Sequence, residues 1–328
     1  MENKNVSPPP SNTGVPNTFN EKQSLSLDWL AGTFFNLLPK ELIQTIKIPE
    51  SKFVEVNGFF GYRKCLTFNT IKILFDGTDE MGIHLILPSA ALAYLDERSN
   101  IFNLFLKFTK LGFEVSRIDL ALDVFDNLMP TIIRDIKDHN YRTKSRTIEK
   151  IDKIDTRTNK IIGQTLYIGS RSSEKMLRIY NKQQESKLDY KLTRFELELK
   201  GDKAKQTFEI LISGKAQFSD LTKQMLRDHI KFIRPTNDSN KSRWPLAIYW
   251  AKITSTDKKL DLAMPKKPKS LDATIQWLLK SVSKSLLKAD IATGENGLLQ
   301  ALLNSGLAKI TDEEIQEAED YFKRIMKG

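Results

Sequence analysis

Alternation of hydrophobic and polar residues dominates the first two thirds of the chain, and helical periodicity dominates the last third. Short strand-like stretches separated by glycines or turns lie at 53–56, 70–75, 83–87, 115–125, 165–169, 176–181 and 192–200. A helical repeat of apolar residues runs from Leu92 to Phe108 between the third and fourth of these stretches. Because the strands and helices follow no regular strand–helix–strand rhythm, the sequence predicts an α+β fold: a mainly antiparallel β-sheet flanked by helices.

The same pattern divides the chain into three parts. Residues 1–24 hold four of the twelve prolines and almost no large apolar side chain, so we expect a disordered tail. Residues 25–235 are predicted to form the sheet-based domain, with Leu27, Trp29 and Leu30 as its first core residues. Residues 236–328 are predicted to form a helical C-terminal domain, which includes a capping box at 311–314.

Charge and composition narrow the class of protein. The 51 Lys and Arg residues exceed the 41 Asp and Glu residues, which gives a net charge of +10. Such an excess favours a polyanionic partner, although many soluble proteins are equally basic. The single cysteine, Cys65, excludes an internal disulfide and any Cys-based zinc site. No apolar run is long enough to cross a bilayer and no secretion signal is visible, so we expect a cytoplasmic protein without membrane contact.

Two predicted strands carry acidic residues on one face. Arg117, Asp119 and Asp123 alternate with apolar residues in the first, and Glu196 and Glu198 do so in the second. If the strands are neighbours, their carboxylates form one cluster, and hard oxygen ligands of this kind suit Mg²⁺ or Mn²⁺. The alternative is a solvent-exposed polar face on which Arg117 pairs with Asp119.

A tyrosine flanked by cations lies between those strands in the sequence. In the stretch 176–182, Arg178, Tyr180 and Lys182 share one face of a strand and the residues after it. Cations at this spacing favour the phenolate and neutralise charge during attack on a phosphate. The alternative is an ordinary packed tyrosine with a satisfied hydroxyl. The three histidines are scattered and form no His-x-His pair; His84 is kept as a further candidate metal ligand.

Taken together, these stretches resemble the replication initiation factor family, which includes rolling-circle plasmid initiators and related relaxases. The stretch Arg-Ile-Asp-Leu-Ala-Leu-Asp at 117–123 resembles the family's acidic strand. The stretch 167–171 followed by 178–182 is similar to its nucleophile region, and 194–198 is similar to its second acidic strand.

The resemblance implies a fold, a reaction and a set of roles. The fold would be a DNA-nicking domain related to the two-histidine (HUH) endonucleases, with carboxylates in place of the histidines. Tyr180 would attack DNA, leaving a 5′-phosphotyrosine and a free 3′-hydroxyl, while Arg178 and Lys182 stabilise the charge. Asp119 and Glu196, with Asp123, would hold Mg²⁺ or Mn²⁺. The expected partner is replication or transfer origin DNA, single-stranded or hairpin at the nick, with a host helicase and a second copy as further partners.

Three other functions are compatible with the sequence. The first is a conjugative relaxase of the same chemistry, and the second is a non-catalytic DNA-binding regulator that keeps the fold. The third is a basic protein with an unrelated role. The stretch 252–288, with nine Lys and three Asp residues, is either a DNA contact or a solvated helical face.

Overall fold

The computed structural model describes residues 23–78, 80–256, 271–294 and 297–326. The chain divides into two compact units, Met1–Leu262 and Ala263–Gly328. The predicted disordered tail, 1–24, lies outside the described residues except for Gln23 and Ser24, which already belong to the first strand. No helix among the described residues is both long and apolar enough to span a membrane.

An antiparallel sheet of ten strands forms the centre of the first unit, in the order β2-β3-β4-β5-β1-β6-β11-β10-β9-β8. Its strands are β1 (Gln23–Phe34), β2 (Val54–Asn57), β3 (Lys64–Phe68), β4 (Ile71–Phe75), β5 (Ile83–Pro88), β6 (Glu114–Val124), β8 (Ile148–Asp155), β9 (Lys160–Ile168), β10 (Lys175–Asn181) and β11 (Thr193–Lys200). A two-stranded sheet pairs β7 (Tyr141–Thr143) with β12 (Ile230–Phe232). The predicted α+β class with a mainly antiparallel sheet is therefore confirmed.

The helices of the first unit are α1 (Pro39–Ile46), α2 (Ser89–Asp96), α3 (Ile101–Lys110), α4 (Met129–Lys137), α5 (Lys182–Ser186), α6 (Gly201–Ile212), α7 (Phe218–His229) and α8 (Ile248–Ile253). The second unit contains α9 (Leu271–Trp277), α10 (Ser283–Thr293), α11 (Gly297–Leu307) and α12 (Asp312–Ile325). The predicted capping box is present: Thr311 accepts from the Glu314 backbone N–H, and the Glu314 carboxylate accepts from that of Thr311.

The two faces of the ten-stranded sheet differ in character. One face carries apolar residues such as Leu120, Leu197 and Ile179, which are buried in one core with helix residues such as Phe105 and Phe208. Alternation along the strands places the charged side chains of β6, β10 and β11 on the opposite face. We call this opposite side the charged face. The helices thus cover one face of the sheet, and the charged residues of these strands lie on the other.

The first unit continues beyond the boundary predicted at 235. Ile233 forms a β-bridge with Leu246, and the backbone N–H of Ala247 donates to the carbonyl of Phe232 at 2.9 Å. Trp250 on α8 is fully buried, with its ring 5.2 Å from that of Phe232. Pro235 and Pro245 lie in the loop between β12 and α8, which returns α8 to the core. The described chain up to residue 256 therefore belongs with the sheet. Much of the basic stretch 252–288, namely 257–270, lies outside the described residues.

Replacing Trp250 by alanine should lower the free energy of unfolding by about 3–5 kcal/mol, because it removes a large ring from a closed core. Urea denaturation followed by circular dichroism would measure this change. Ile248→Ala on the same helix is the matched control; Ile248 is 72 % exposed, so its loss should change stability by less than about 0.5 kcal/mol. Equal effects of the two substitutions would show that α8 does not belong to the core.

Candidate active site

The strand register brings the predicted site residues onto one face. β11 lies between β6 and β10, so that Asp123 is opposite Arg194, which in turn is opposite Tyr180. Glu196 is opposite Arg178 on β10. The two acidic strands are therefore neighbours, as the sequence analysis had to assume, and the tyrosine strand adjoins them. This adjacency follows from pairing between segments some 70 residues apart, which no local pattern specifies.

Each buried carboxylate of the charged face is paired with an arginine. Asp119 accepts from Arg117 at 2.5 and 2.9 Å, and Glu196 accepts from Arg178 at 2.7 and 2.9 Å. Glu198, which lies opposite Asp119 on β11, also contacts Arg117, at 2.7 Å. The sequence alternative of an Arg117–Asp119 pair is thus observed, but in a largely buried setting rather than on an open surface.

Asp119 lies in an environment that disfavours its negative charge. The pKa of Asp119 is raised from 3.8 to about 7, mainly by burial; the hydrogen bonds and charge of Arg117 act in the opposite direction, and the charges of Glu196 and Glu198 make smaller upward contributions. Burial therefore outweighs the cation beside Asp119. A group that adds positive charge at this point of the sheet would stabilise the ionised form of Asp119.

Tyr180 is held among charged groups and is only 4 % exposed. Its hydroxyl donates to Glu196 Oε2 at 3.2 Å. The Arg178 guanidinium lies 4.6 Å from the ring centre, and the Lys182 ammonium lies 5.5 Å from it. Burial raises the pKa of Tyr180 above its ordinary value, and the opposing effects of Arg194 and Arg178 do not cancel this. Arg178 does favour the phenolate, as the sequence predicted of a neighbouring cation, but in the free protein burial outweighs it.

Arg194 connects the tyrosine to the end of the acidic strand. Its guanidinium donates to both oxygens of Asp123, at 2.6 and 2.7 Å, and to Asp28 at 2.8 Å. The pKa of Arg194 is raised well above its ordinary value, since the interactions with Asp123 and Asp28 more than offset burial. Asp123 thus resembles Asp119 and Glu196 in having both carboxylate oxygens bonded to one arginine, but its arginine also binds a third strand through Asp28.

Sequence reasoning missed Asp28 and only partly described Trp29. The pairing of β1 with β6 shifts register between Leu27 and Trp29, as at a β-bulge, and both Asp28 and Trp29 contact residues of the charged face. Trp29 is half-buried and packs against a second apolar cluster that includes Ala31, while its ring also lies 4.8 Å from the Arg117 guanidinium. A bulge disrupts the alternation from which the face of a residue is read, so the sequence pattern alone did not predict this contact with Arg117.

Other candidates lie outside this group. His84 shares a hydrogen bond of 2.9 Å with the Thr33 hydroxyl on the neighbouring strand β1, and burial lowers its pKa. Lys182, which begins α5, donates to Glu185 at 2.8 Å while remaining over the ring of Tyr180. Arg171, in the loop after β9, lies 5.3 Å from the ring of Tyr167.

The donor set of the charged face fits a hard cation. Asp119, Glu196 and Glu198 offer carboxylate oxygens, the ligands that Mg²⁺ and Mn²⁺ take. Burial raises the pKa of Asp119, and the charges of Glu196 and Glu198 add to this, so a cation bound here would favour its ionised form. Within the described ranges, no three histidine, cysteine, aspartate or glutamate side chains are already grouped as around a metal ion. Binding would therefore require the arginines to release some carboxylate oxygens.

Comparison with known proteins agrees with this geometry. The sequence model of the family described as replication initiation factor (Rep_trans) matches residues 113–303, and the chain belongs to that family. A Bacillus subtilis (strain 168) protein that carries the name of a DNA relaxase, NicK, is 21 % identical over 271 residues, which are 77 % of each chain. The rolling circle replication initiator protein from Geobacillus stearothermophilus is similar in structure, with a TM-score of 0.65 and 25 % identity. The match covers 71 % of this chain and 95 % of that one.

Replacing Arg194 by methionine should destabilise the protein by about 3–5 kcal/mol, because Asp123 and Asp28 would be left buried without their cation. Chemical denaturation would measure the loss. Arg63→Met is the matched control: Arg63 is 74 % exposed and paired with Asp76, so its loss should cost at most about 1 kcal/mol. If the two variants were equally stable, Arg194 would not be the group that stabilises the charged face.

Proposed function

We propose that this protein starts rolling-circle replication by nicking one strand of origin DNA, with Tyr180 as the nucleophile. The observation that carries the proposal is the position of the Tyr180 hydroxyl, 3.2 Å from Glu196 and beside Arg178, in a member of the replication initiation factor family. A nucleophile hydrogen-bonded to a base, with a cation beside it, is the arrangement that phosphoryl attack requires.

In the proposed reaction, Tyr180 Oη forms a bond to the phosphorus of one phosphodiester. The bond from phosphorus to the 3′-oxygen breaks, so the downstream DNA becomes a 5′-phosphotyrosine and the upstream DNA ends in a 3′-hydroxyl. Glu196 is the acceptor within reach of the phenol proton, and the leaving 3′-oxygen takes up a proton from solvent. Because burial raises the pKa of Tyr180, removal of this proton is coupled to the arrival of the substrate phosphate.

Two cations are positioned to stabilise the charge of the transition state. The guanidinium of Arg178 lies between the tyrosine ring and Glu196, and the ammonium of Lys182 lies on the ring. Both are paired with carboxylates in the free protein, Arg178 with Glu196 and Lys182 with Glu185. When a phosphate enters, it can replace these carboxylates as the acceptor, so the positive charges are directed to the phosphate oxygens.

We propose Asp119 and Glu196, with Glu198, as the residues that hold a divalent cation, Mg²⁺ or Mn²⁺. Bound there, the cation would polarise the scissile phosphate. Asp119, Glu196 and Glu198 line one cavity, and Asp123, which the family resemblance places in the same shell, does not line it. Asp123 shares Arg194 with Asp28, and we assign it to positioning that arginine.

A second function, nicking of a conjugative transfer origin, shares this chemistry. The named relaxase among the relatives favours it as the alternative, since initiation and transfer differ in the DNA that is cut rather than in the reaction. The nicked sequence distinguishes them: a plasmid replication origin supports the first function, and a transfer origin supports the second.

Tyr180→Phe should abolish the covalent protein–DNA adduct and leave DNA binding intact, because only the attacking oxygen is lost. Incubation with single-stranded origin DNA and Mn²⁺, followed by denaturing electrophoresis, would measure the adduct. Tyr190→Phe is the matched control and should form the adduct at the wild-type rate. An adduct that persists in Tyr180→Phe would assign the attack to another tyrosine.

Cleavage should require a divalent cation, and Asp119→Asn or Glu196→Gln should lower the single-turnover rate by orders of magnitude. Glu114→Gln is the control, since Glu114 lies on the same strand as Asp119 but its side chain is 55 % exposed and pairs with Lys205. Thermal unfolding should show that all three variants are folded. Full activity in excess EDTA would contradict the metal assignment.

A further inference from the structure

Two cavities open on the charged face on either side of the Tyr180 hydroxyl. The first, of about 510 Å³, is lined by residues that include Trp29, Arg117, Asp119, Tyr167 and Arg178. We call it the tryptophan cavity. The second, of about 730 Å³, lies between the β8–β9 hairpin and α5 and is lined by residues that include Ile151, Lys153, Ile161, Gln184 and Tyr180. We call it the hairpin groove. Tyr180 lines only the groove, and its hydrogen-bond acceptor Glu196 lines only the cavity.

Two residues in the wall of the tryptophan cavity hold hydrogen-bond donors without acceptors. Trp29 Nε1 and Arg178 Nε have no hydrogen-bond partner within the described residues, and both atoms are covered by their neighbours. A buried donor left unpaired costs free energy, which is recovered when the covering side chains move and a ligand supplies an acceptor. Bases and phosphates of DNA carry such acceptors. The indole of Trp29 and the ring of Tyr167 also provide planar surfaces of the kind on which unpaired bases stack.

The hairpin groove has a different lining. Its walls include Ile151, Ile161 and Ile162, each more than 40 % exposed, together with Lys153 and Lys187. Exposed aliphatic side chains interleaved with lysines match a chain that presents apolar base faces and a charged backbone, as single-stranded DNA does. The groove begins at Thr165 and Ile151, which continue the row of Tyr180 across β9 and β8.

We propose that the tryptophan cavity binds the nucleotide on the 5′ side of the nick, whose 3′-oxygen leaves, and that the hairpin groove binds the nucleotides on the 3′ side. The inference rests on the proposed function. In an in-line displacement, the leaving oxygen lies opposite the attacking one. The 5′-phosphate would remain on Tyr180, which lines the groove, and the carboxylates proposed to hold the cation line the cavity, so the leaving oxygen lies on the side of the cavity, over β6 and β1.

This assignment gives the DNA a direction across the sheet. The strand enters over β1 and β6 with its 5′ segment, crosses β11 and β10 at the scissile phosphate, and leaves over β9 and β8. After cleavage, the released 3′-hydroxyl lies in the tryptophan cavity near the carboxylates, while the covalently held segment stays in the groove beside Tyr180.

Photocrosslinking tests the direction without requiring catalysis. Two thymidine decamers are used, one with 5-iodouracil as its 5′-terminal base and one with it as its 3′-terminal base. After irradiation with the full-length protein, mass spectrometry maps the crosslinks. The 5′-labelled probe should crosslink at Trp29 or Tyr167, and the 3′-labelled probe should crosslink within 151–164 or in α5. The reverse pattern, or crosslinks outside both sites, would overturn the proposal.

Trp29→Phe tests the unpaired donor. It removes the indole N–H but keeps an aromatic ring, so binding of the unlabelled thymidine decamer should weaken about two- to tenfold, the value of one hydrogen bond. The melting temperature of the free protein should not fall by more than that of the control, since no hydrogen bond is lost on folding. In the control, Trp244→Phe, the lost indole N–H donates to the Asp238 carbonyl at 2.6 Å, and DNA binding should be unchanged. Equal binding by wild type and Trp29→Phe would overturn the role of the cavity.

The outcomes separate this proposal from the proposed function. If Tyr180→Phe still forms the covalent adduct while the crosslinks appear as expected, the nucleophile assignment fails and the DNA-binding assignment holds. If Tyr180→Phe loses the adduct but the crosslinks are reversed, the reaction assignment holds and the direction of the DNA is wrong.

Discussion

The arrangement of the charged face depends on the pairing of buried arginines with buried carboxylates across neighbouring strands. Arg194 is the central case, because it binds Asp123 on β6 and Asp28 on β1 while lying opposite Tyr180 on β10. A carboxylate taken out of water without a cation would be far more costly than one that keeps such a partner. The arginines therefore allow three strands, β1, β6 and β11, to carry acidic residues on the face where Tyr180 lies.

At Asp119, however, the neighbouring arginine does not offset the cost of burying the carboxylate. Asp119 has Arg117 beside it, yet its pKa is raised to about 7 by burial and, after the opposing effect of Arg117, by Glu196 and Glu198. Tyr180 is likewise disfavoured as an anion in the free protein. Added positive charge would stabilise the ionised form of either group.

Two irregularities of the fold lie at this site. The register shift in β1 gives the charged face two successive contributors, Asp28 and Trp29, where a regular strand would give it one. The unpaired donors of Trp29 and Arg178 line the same cavity. In contrast, the helix-covered face is regular and apolar, with residues such as Leu120 and Leu197 fully or almost fully buried. The helix-covered face thus provides the apolar core on which the less regular charged face is built.

The sequence by itself determined the class of fold and which residues of one strand share a face of the sheet. Period-two alternation was enough to place Asp119 and Asp123 together, and to separate both from Leu120, because side-chain direction within one strand is a local property. It did not determine which strands are neighbours, that Tyr180 is buried against Glu196, or that Trp29 lies over Arg117. Strand order, the bulge at Asp28 and the return of α8 to the core depend on contacts between distant segments, and a local pattern carries no information about them. Only the tertiary structure decided that the two acidic strands and the tyrosine form one site.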